Sequence, residues 1–258
     1  MTYKNHPDSK FTVLITGATG GIGSALSLEY AKDNVLLILL GRSIDELSYL
    51  AEECRSCGAE VKTYCHDLSA IEKSVSLSAE IAQTHNVDLF ISNAGITNST
   101  QNCETESWNK IESVISLNLL GALAISHGVL EDMQRRKSGH IAYVSSLGAY
   151  YGMPLTPSYC ASKAGLKAYT EAVRGLLASQ SITVTLIAPG FVKTPLSDQF
   201  RGSKPFMISA EDAARIIRRG LDKKKRVIAF PLALNLGVRF LSLLPAGISD
   251  FILARLKY

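Results

Sequence analysis

Short apolar blocks recur along this chain, separated by stretches long enough for a helix. Residues 11–15 (FTVLI), 35–40 (VLLILL), 60–65 (EVKTYC), 87–92 (VDLFIS), 140–146 (HIAYVSS), 182–188 (ITVTLIA) and 226–230 (RVIAF) read as strands. Between them, residues 24–32, 44–57, 69–84, 108–137, 158–179 and 210–221 read as helices, and Ser69 with Glu72 has the spacing of a capping box. Neither a repeat nor a low-complexity linker interrupts the alternation. Strand, helix, strand without a break predicts a single α/β domain over residues 1–258, a doubly wound parallel sheet of about seven strands with helices on both faces. In such a fold the ligand belongs at the carboxyl ends of the strands, where the strand order reverses. Gly17, Arg42, Asp67, Asn93, Ser146 and Pro189 all fall at or just past strand ends, which puts them on that one edge.

Composition narrows the class. At 258 residues with 47% hydrophobic residues the chain can bury a sizeable core. A net charge of +4 with scattered basic residues gives no case for nucleic acid as a partner. The opening MTYKNHPDSK lacks an apolar segment, so a secretory signal is not expected, and the late apolar run of residues 227–238 is too short to span a bilayer. Five cysteines, an odd number, point to a reducing, cytoplasmic setting. Cys54, Cys57, Cys65 and His66 lie close in sequence, but no second CxxC or HxxxH completes a zinc site, and no metal is expected.

The chemistry starts at residues 16–23, TGATGGIG, between the first strand and the first helix. Gly17 permits a tight turn, Gly21 lets backbone approach a ligand, and Gly23 lets helix pack on strand. The helix start offers N–H groups and a dipole to a pyrophosphate. After the second strand stands Gly41-Arg42-Ser43, where an acidic residue would suit the ribose hydroxyls of NAD. Arginine there suits a 2′-phosphate, so NADP(H) is the expected cofactor. Asn93-Ala94-Gly95 ends the fourth strand with small residues, and Asn118 sits in an apolar helix where it needs buried partners or a functional reason. Tyr159 and Lys163 are four apart on one helix and share a face. An ammonium beside the phenol is expected to lower its pKa toward the working range and equip it for proton transfer. Ser146 offers a hydroxyl to a substrate oxygen.

With these residues in this order, the chain resembles the classical short-chain dehydrogenase/reductase family from about residue 11 to residue 230. The resemblance implies a Rossmann-type domain. It implies a cofactor turn of Gly17, Thr19, Gly20, Gly21, Ile22 and Gly23, with Arg42, Ser43, Asp67 and Leu68 at the adenosine end. Asn93, Ala94 and Gly95, then Pro189, Gly190, Val192 and Thr194, belong to the same cofactor site. Asn118, Ser146, Tyr159 and Lys163 fall on the catalytic tetrad. The implied reaction moves hydride between NADP(H) and a carbonyl or alcohol, with Tyr159 as general acid/base, Ser146 holding the oxygen, Lys163 on the cofactor ribose and Asn118 holding a relay water. Two departures stand out. Gly17, Gly20 and Gly23 also fit the GxxGxxG turn of the sugar-epimerising branch, for whose substrate domain the chain leaves little room. The family's double asparagine appears as Leu117-Asn118.

Residues 195–208 correspond to the family's substrate lid, and Tyr150, Tyr151, Met153 and Leu155 are pocket-wall candidates. Residues 231–258 form an apolar extension in which Ile248, Phe251, Ile252 and Leu256 share a helical face. A flap over the cleft, an oligomer contact and a peripheral membrane contact beside the basic run at residues 223–226 are the three readings of this tail. The apolar tail and aromatic cleft edge favour a lipophilic small-molecule substrate. The resemblance implies a homodimer or homotetramer through the two long helices. The alternative function is an NADPH-binding redox sensor without turnover.

Overall fold

The computed structural model describes residues 10–100 and 104–256; the first nine residues, and with them the reading of a leaderless N-terminus, lie outside it, as does the side chain of Leu256. Seven strands, β1 Phe11–Thr16, β2 Val35–Gly41, β3 Glu60–Cys65, β4 Leu89–Ser92, β5 Gly139–Val144, β6 Ile182–Pro189 and β7 Val227–Phe230, form one sheet. Their order is β3-β2-β1-β4-β5-β6-β7, and every pairing is parallel. The order reverses between β1 and β4, whose carboxyl ends carry Gly17 and Asn93.

Period-two alternation within the strands builds a core on each face. Val13, Ile15, Leu37, Leu39, Leu89 and Ile91 point one way, onto helices α1 (Gly21–Tyr30), α2 (Ile44–Ser56) and, further along the sheet, α8 (Ala210–Asp222). Leu14, Ile38, Leu40, Phe90, Ile141 and Tyr143 point the other way, onto α3 (Ile71–Thr84), α5 (Ala122–Arg136) and α6 (Pro157–Leu176). A helical run over Trp108–Arg136 is long and apolar enough to cross a bilayer by composition. Here Ile125, Val129 and Met133 of that run are buried against the sheet.

Three local features differ from the pattern-based reading. The expected helix over residues 108–137 is α4 (Trp108–Ile115), a π-helical turn (Ser116–Gly121) and α5 in succession. Asn118 sits in the π turn, a geometry that often marks functional sites. The capping box at Ser69 and Glu72 does not form, because Asp67 Oδ1 accepts both the Ser69 N–H at 2.9 Å and its hydroxyl at 2.8 Å. Helix α3 accordingly starts two residues later, with Ala70 at its N-cap. The tail forms two helices, α9 (Leu232–Leu241) and α10 (Ala246–Leu256). Ile248 and Phe251 on the expected apolar face of α10 are exposed, whereas Ser249 and Leu253 are buried. The basic run Lys223–Arg226 precedes β7 whereas the tail follows it, so the two lie at opposite ends of that strand.

Candidate active site

A cleft of about 770 Å³ opens at the carboxyl edge of the sheet. Its floor at the switch point is set by Asn93. The Asn93 amide donates to the carbonyls of Thr16 and Gly17, both at 3.1 Å, and its backbone N–H donates to Thr16 Oγ1 at 3.0 Å. The ends of β1 and β4 are thereby locked together. Gly17 has φ +60°, and a Cβ there would lie 2.7 Å from Ala94 Cα. Only glycine fits this crossing. A Cβ on Gly23 would overlap the Gly17 carbonyl oxygen and lie 2.9 Å from Asn93 Nδ2. Helix α1 starts at Gly21 with Gly20 as N-cap, no side-chain cap and no acid in its first turn. Gly17, Thr19, Gly20, Gly21 and Ile22 line the cleft. Uncapped helix N–H groups facing a glycine-lined cleft fit the phosphates of a dinucleotide.

At the far end of the cleft stand Arg42, exposed, and Leu68, buried. Glu46 and His66 line it too; the sequence marked His66 only beside the cysteines and did not mark Glu46, and each reaches the cleft because α2 and β3 begin and end beside Arg42. Ser43 is not part of the lining and instead caps α2 by accepting the Glu46 N–H at 3.3 Å. Asp67 is also outside it, its carboxylate held by Ser69 and well below the usual range because of that backbone bond. Gly23 lies behind the lining as a packing residue. Asn93, Ala94, Gly95, Pro189, Gly190, Val192 and Thr194 line the middle of the cleft.

Ser146, Tyr159 and Lys163 meet at the centre. Ser146 follows β5 and caps a short 3₁₀ turn, Leu147–Ala149, by accepting the Gly148 N–H at 3.1 Å. Helix α6 carries Tyr159 and Lys163, and Glu106 holds its first turn by accepting the Ser158 N–H at 2.9 Å and hydroxyl at 2.7 Å. A carboxylate there also complements the helix dipole. Ser145 ties β5 to α6 by donating to the Lys163 carbonyl at 2.8 Å.

The electrostatics run against the expectation of a phenol made acidic by its lysine. The surrounding protein desolvates the Tyr159 phenol and pushes it up to about 12, with the Ser146 hydroxyl pulling it the other way. Burial pulls the Lys163 ammonium down to about 8. Its Nζ donates to the Val144 carbonyl at 2.9 Å and lies 5.9 Å from the centre of the Tyr159 ring. In an apolar cleft, loss of water penalises both charged forms. Tyr159 therefore holds its proton firmly.

Asn118 lies behind the lining, fully buried. Its Oδ1 accepts the Ile96 N–H at 2.8 Å, and its Nδ2 donates to the Ile96 carbonyl at 2.9 Å and to Ser162 Oγ at 3.1 Å. These are the buried partners the sequence demanded. They fix the backbone just after Gly95, which with Ile96 forms cleft wall. Cys54 is buried and Cys57 exposed, and no metal-binding group of three occurs among the described residues.

The model of the short chain dehydrogenase family matches residues 11–204. An uncharacterized oxidoreductase of Myxococcus xanthus (strain DK1622) is 32% identical over 247 residues, covering 95% of this chain and 97% of the relative. The short-chain dehydrogenase of Sphingobium yanoikuyae in complex with NADPH superimposes with a TM-score of 0.79 at 21% identity, covering 95% of each chain. A short chain dehydrogenase/reductase of Burkholderia phymatum in complex with NAD gives a TM-score of 0.80 at 21% identity, over 91% of this chain and 94% of that one. The family model covers well over half of the chain and the Myxococcus relative nearly all of it, so this chain belongs to the short-chain dehydrogenase/reductases.

Proposed function

We propose that this chain is an NADP(H)-dependent reductase of a lipophilic ketone or aldehyde, working in reverse on the corresponding alcohol. The observation that carries this is the meeting of a hydroxyl, a protonated phenol and an ammonium beside a glycine-lined cradle. The nicotinamide supplies or accepts hydride when bound. The protein's part is to position the carbonyl and to manage the proton. Ser146 holds the carbonyl oxygen through its hydroxyl. Tyr159, kept protonated by burial, donates its proton to that oxygen as charge develops, which is general acid catalysis. Lys163 holds the cofactor ribose, and its charge stabilises the phenolate left behind. Asn118 keeps the wall at Ile96 in place and supports the water relay that returns a proton.

Arg42 supports NADP(H) over NAD(H), standing at the adenosine end where a guanidinium binds a 2′-phosphate. Glu46 beside it would oppose a phosphate, so the preference rests on the arginine reaching first. Exposed Trp108, Leu120 and Leu176 on α4, the π turn and α6 support an oligomer through these helices.

Tyr159→Phe tests the assignment. Turnover of a ketone and aldehyde panel, followed as loss of NADPH absorbance, should fall at least ~10³-fold, the order of a lost general acid with its activating contacts. NADPH binding, followed by fluorescence enhancement, should stay within about twofold. Retention of most activity would remove Tyr159 from the mechanism.

A further inference from the structure

The family match ends at residue 204, yet the cleft does not. Its outer end is walled by the two tail helices. Leu234, Val238 and Leu241 of α9 stand at spacings of four and three, a single stripe of one helix, and all three line the cavity. Ile252 and Leu253 of α10 close the same end. Val238, Leu241 and Leu253 are buried. Among the described residues of the lining, Arg42, Glu46 and His66 lie at the adenosine end and Lys163 at the centre, so no charged side chain lines the tail end.

The wall is also anchored. The Arg239 guanidinium of α9 lies over the Tyr150 ring at 4.4 Å and donates to its hydroxyl at 2.8 Å. The Tyr151 hydroxyl donates to Asp250 of α10 at 3.4 Å. Both tyrosines belong to the loop between Ser146 and Tyr159, so each tail helix is fastened to the segment that carries the reactive groups. Val238 packs with Leu147 and Ala188 in one apolar cluster. An uncharged, apolar wall joined to a proton donor binds hydrocarbon and rejects charge.

We infer that helices α9 and α10 form a subsite for the hydrocarbon chain of the substrate, and that this tail sets which chain lengths are accepted. The inference rests on the reductase reading and adds the substrate class: a carbonyl at Tyr159 on a straight or little-branched apolar chain running under α9. Gly237 offers a clean probe. It lines the cavity, and a Cβ placed on it meets no atom within 4 Å. The position is exposed at the rim of the cavity, so a side chain can be started there without a backbone clash.

The test uses the full chain with NADPH and methyl ketones from butanone upward. For wild type, kcat/KM should rise roughly three- to fourfold per added methylene until the chamber is full. Gly237→Trp should flatten this rise and cost at least tenfold on the longest ketones, with butanone changed less than twofold. Gly237→Ala should keep the wild-type profile. A flat wild-type profile, or a Gly237→Trp profile that overlays wild type, overturns the inference and leaves the reductase reading standing. Calorimetric titration of straight-chain alcohols into NADPH-saturated protein, where the alcohol meets no hydride acceptor, reads the subsite without turnover. There too, affinity should climb with length and collapse in Gly237→Trp. If no ketone is turned over, the reductase reading falls, and the alcohol titration alone decides the subsite.

Discussion

Replacing Asn118 by leucine separates its wall-holding contacts from any role in proton transfer. The two side chains are close in size, so the substitution opens no large cavity in the π turn. It removes three hydrogen bonds, from the Ile96 N–H and to the Ile96 carbonyl and Ser162 Oγ. Ser162 keeps another partner, because its hydroxyl donates to the Tyr159 carbonyl at 2.7 Å. Ile96 loses partners on both its backbone groups. At about 1 kcal/mol per lost bond, with more where a group stays dry, the cost is roughly 3 kcal/mol. For a chain of this size, at about 2–4 °C per kcal/mol, the melting point should fall by roughly 6–12 °C. Circular dichroism melts of wild type and Asn118→Leu, without cofactor, measure this directly. NADPH affinity should weaken as well, since Gly95 and Ile96 line the cleft. Turnover falling while the melting point stays within about 2 °C of wild type would refute the structural part of the argument and leave only the relay.

Gly23→Ala places a methyl on the Gly17 carbonyl and against Asn93 Nδ2, so turn and helix must part. About 1–3 kcal/mol of stability and at least tenfold in NADPH affinity should be lost, as read by melting and fluorescence titration. Arg42→Ala should weaken NADPH roughly ten- to a hundredfold, from a charged hydrogen-bond pair of about 1.5–3 kcal/mol, and leave NADH unchanged; equal losses for both would remove the 2′-phosphate role. His140 provides a pH test. The Thr185 hydroxyl donates to the Lys225 carbonyl, so it accepts from His140 Nε2, while Nδ1 is buried without a partner among the described residues. Burial pulls His140 down from 6.5 to about 4. A lowered histidine takes up its proton first in the unfolded chain, so stability is intact above pH 6.5 and drains as pH falls from 6.5 toward 4. Between pH 7 and 5 the loss from this group is about 2 kcal/mol, and His140→Gln should show that much less acid sensitivity in urea unfolding.

Much of this molecule is written locally. The blocks that became β1, β2, β4, β5 and β6 were legible because a strand buried on both faces needs apolar residues in both registers, while the edge strands β3 and β7 are only partly buried. Gly17 and the Asn93 triplet were legible for the same reason. Both meet a steric or hydrogen-bonding demand at a strand end, and short polar or side-chain-free residues answer it. Tyr159 and Lys163 share a helix, and a spacing of four is visible without any fold.

What spans two elements was not legible. The Tyr159 phenol is held above its ordinary pKa by burial, a property of the assembled cleft, while the Lys163 Nζ is bound to the Val144 carbonyl. Glu46, His66 and the tail reach the cleft only after distant segments pack. The sequence alone determined the sheet, the edge on which the ligand site lies and the residue types that carry the chemistry, since these follow from periodicity and from local turn geometry. The tertiary structure decided which polar groups are free to act, how firmly the phenol holds its proton and what walls the tail end of the cleft, since desolvation and enclosure exist only once the chain has folded.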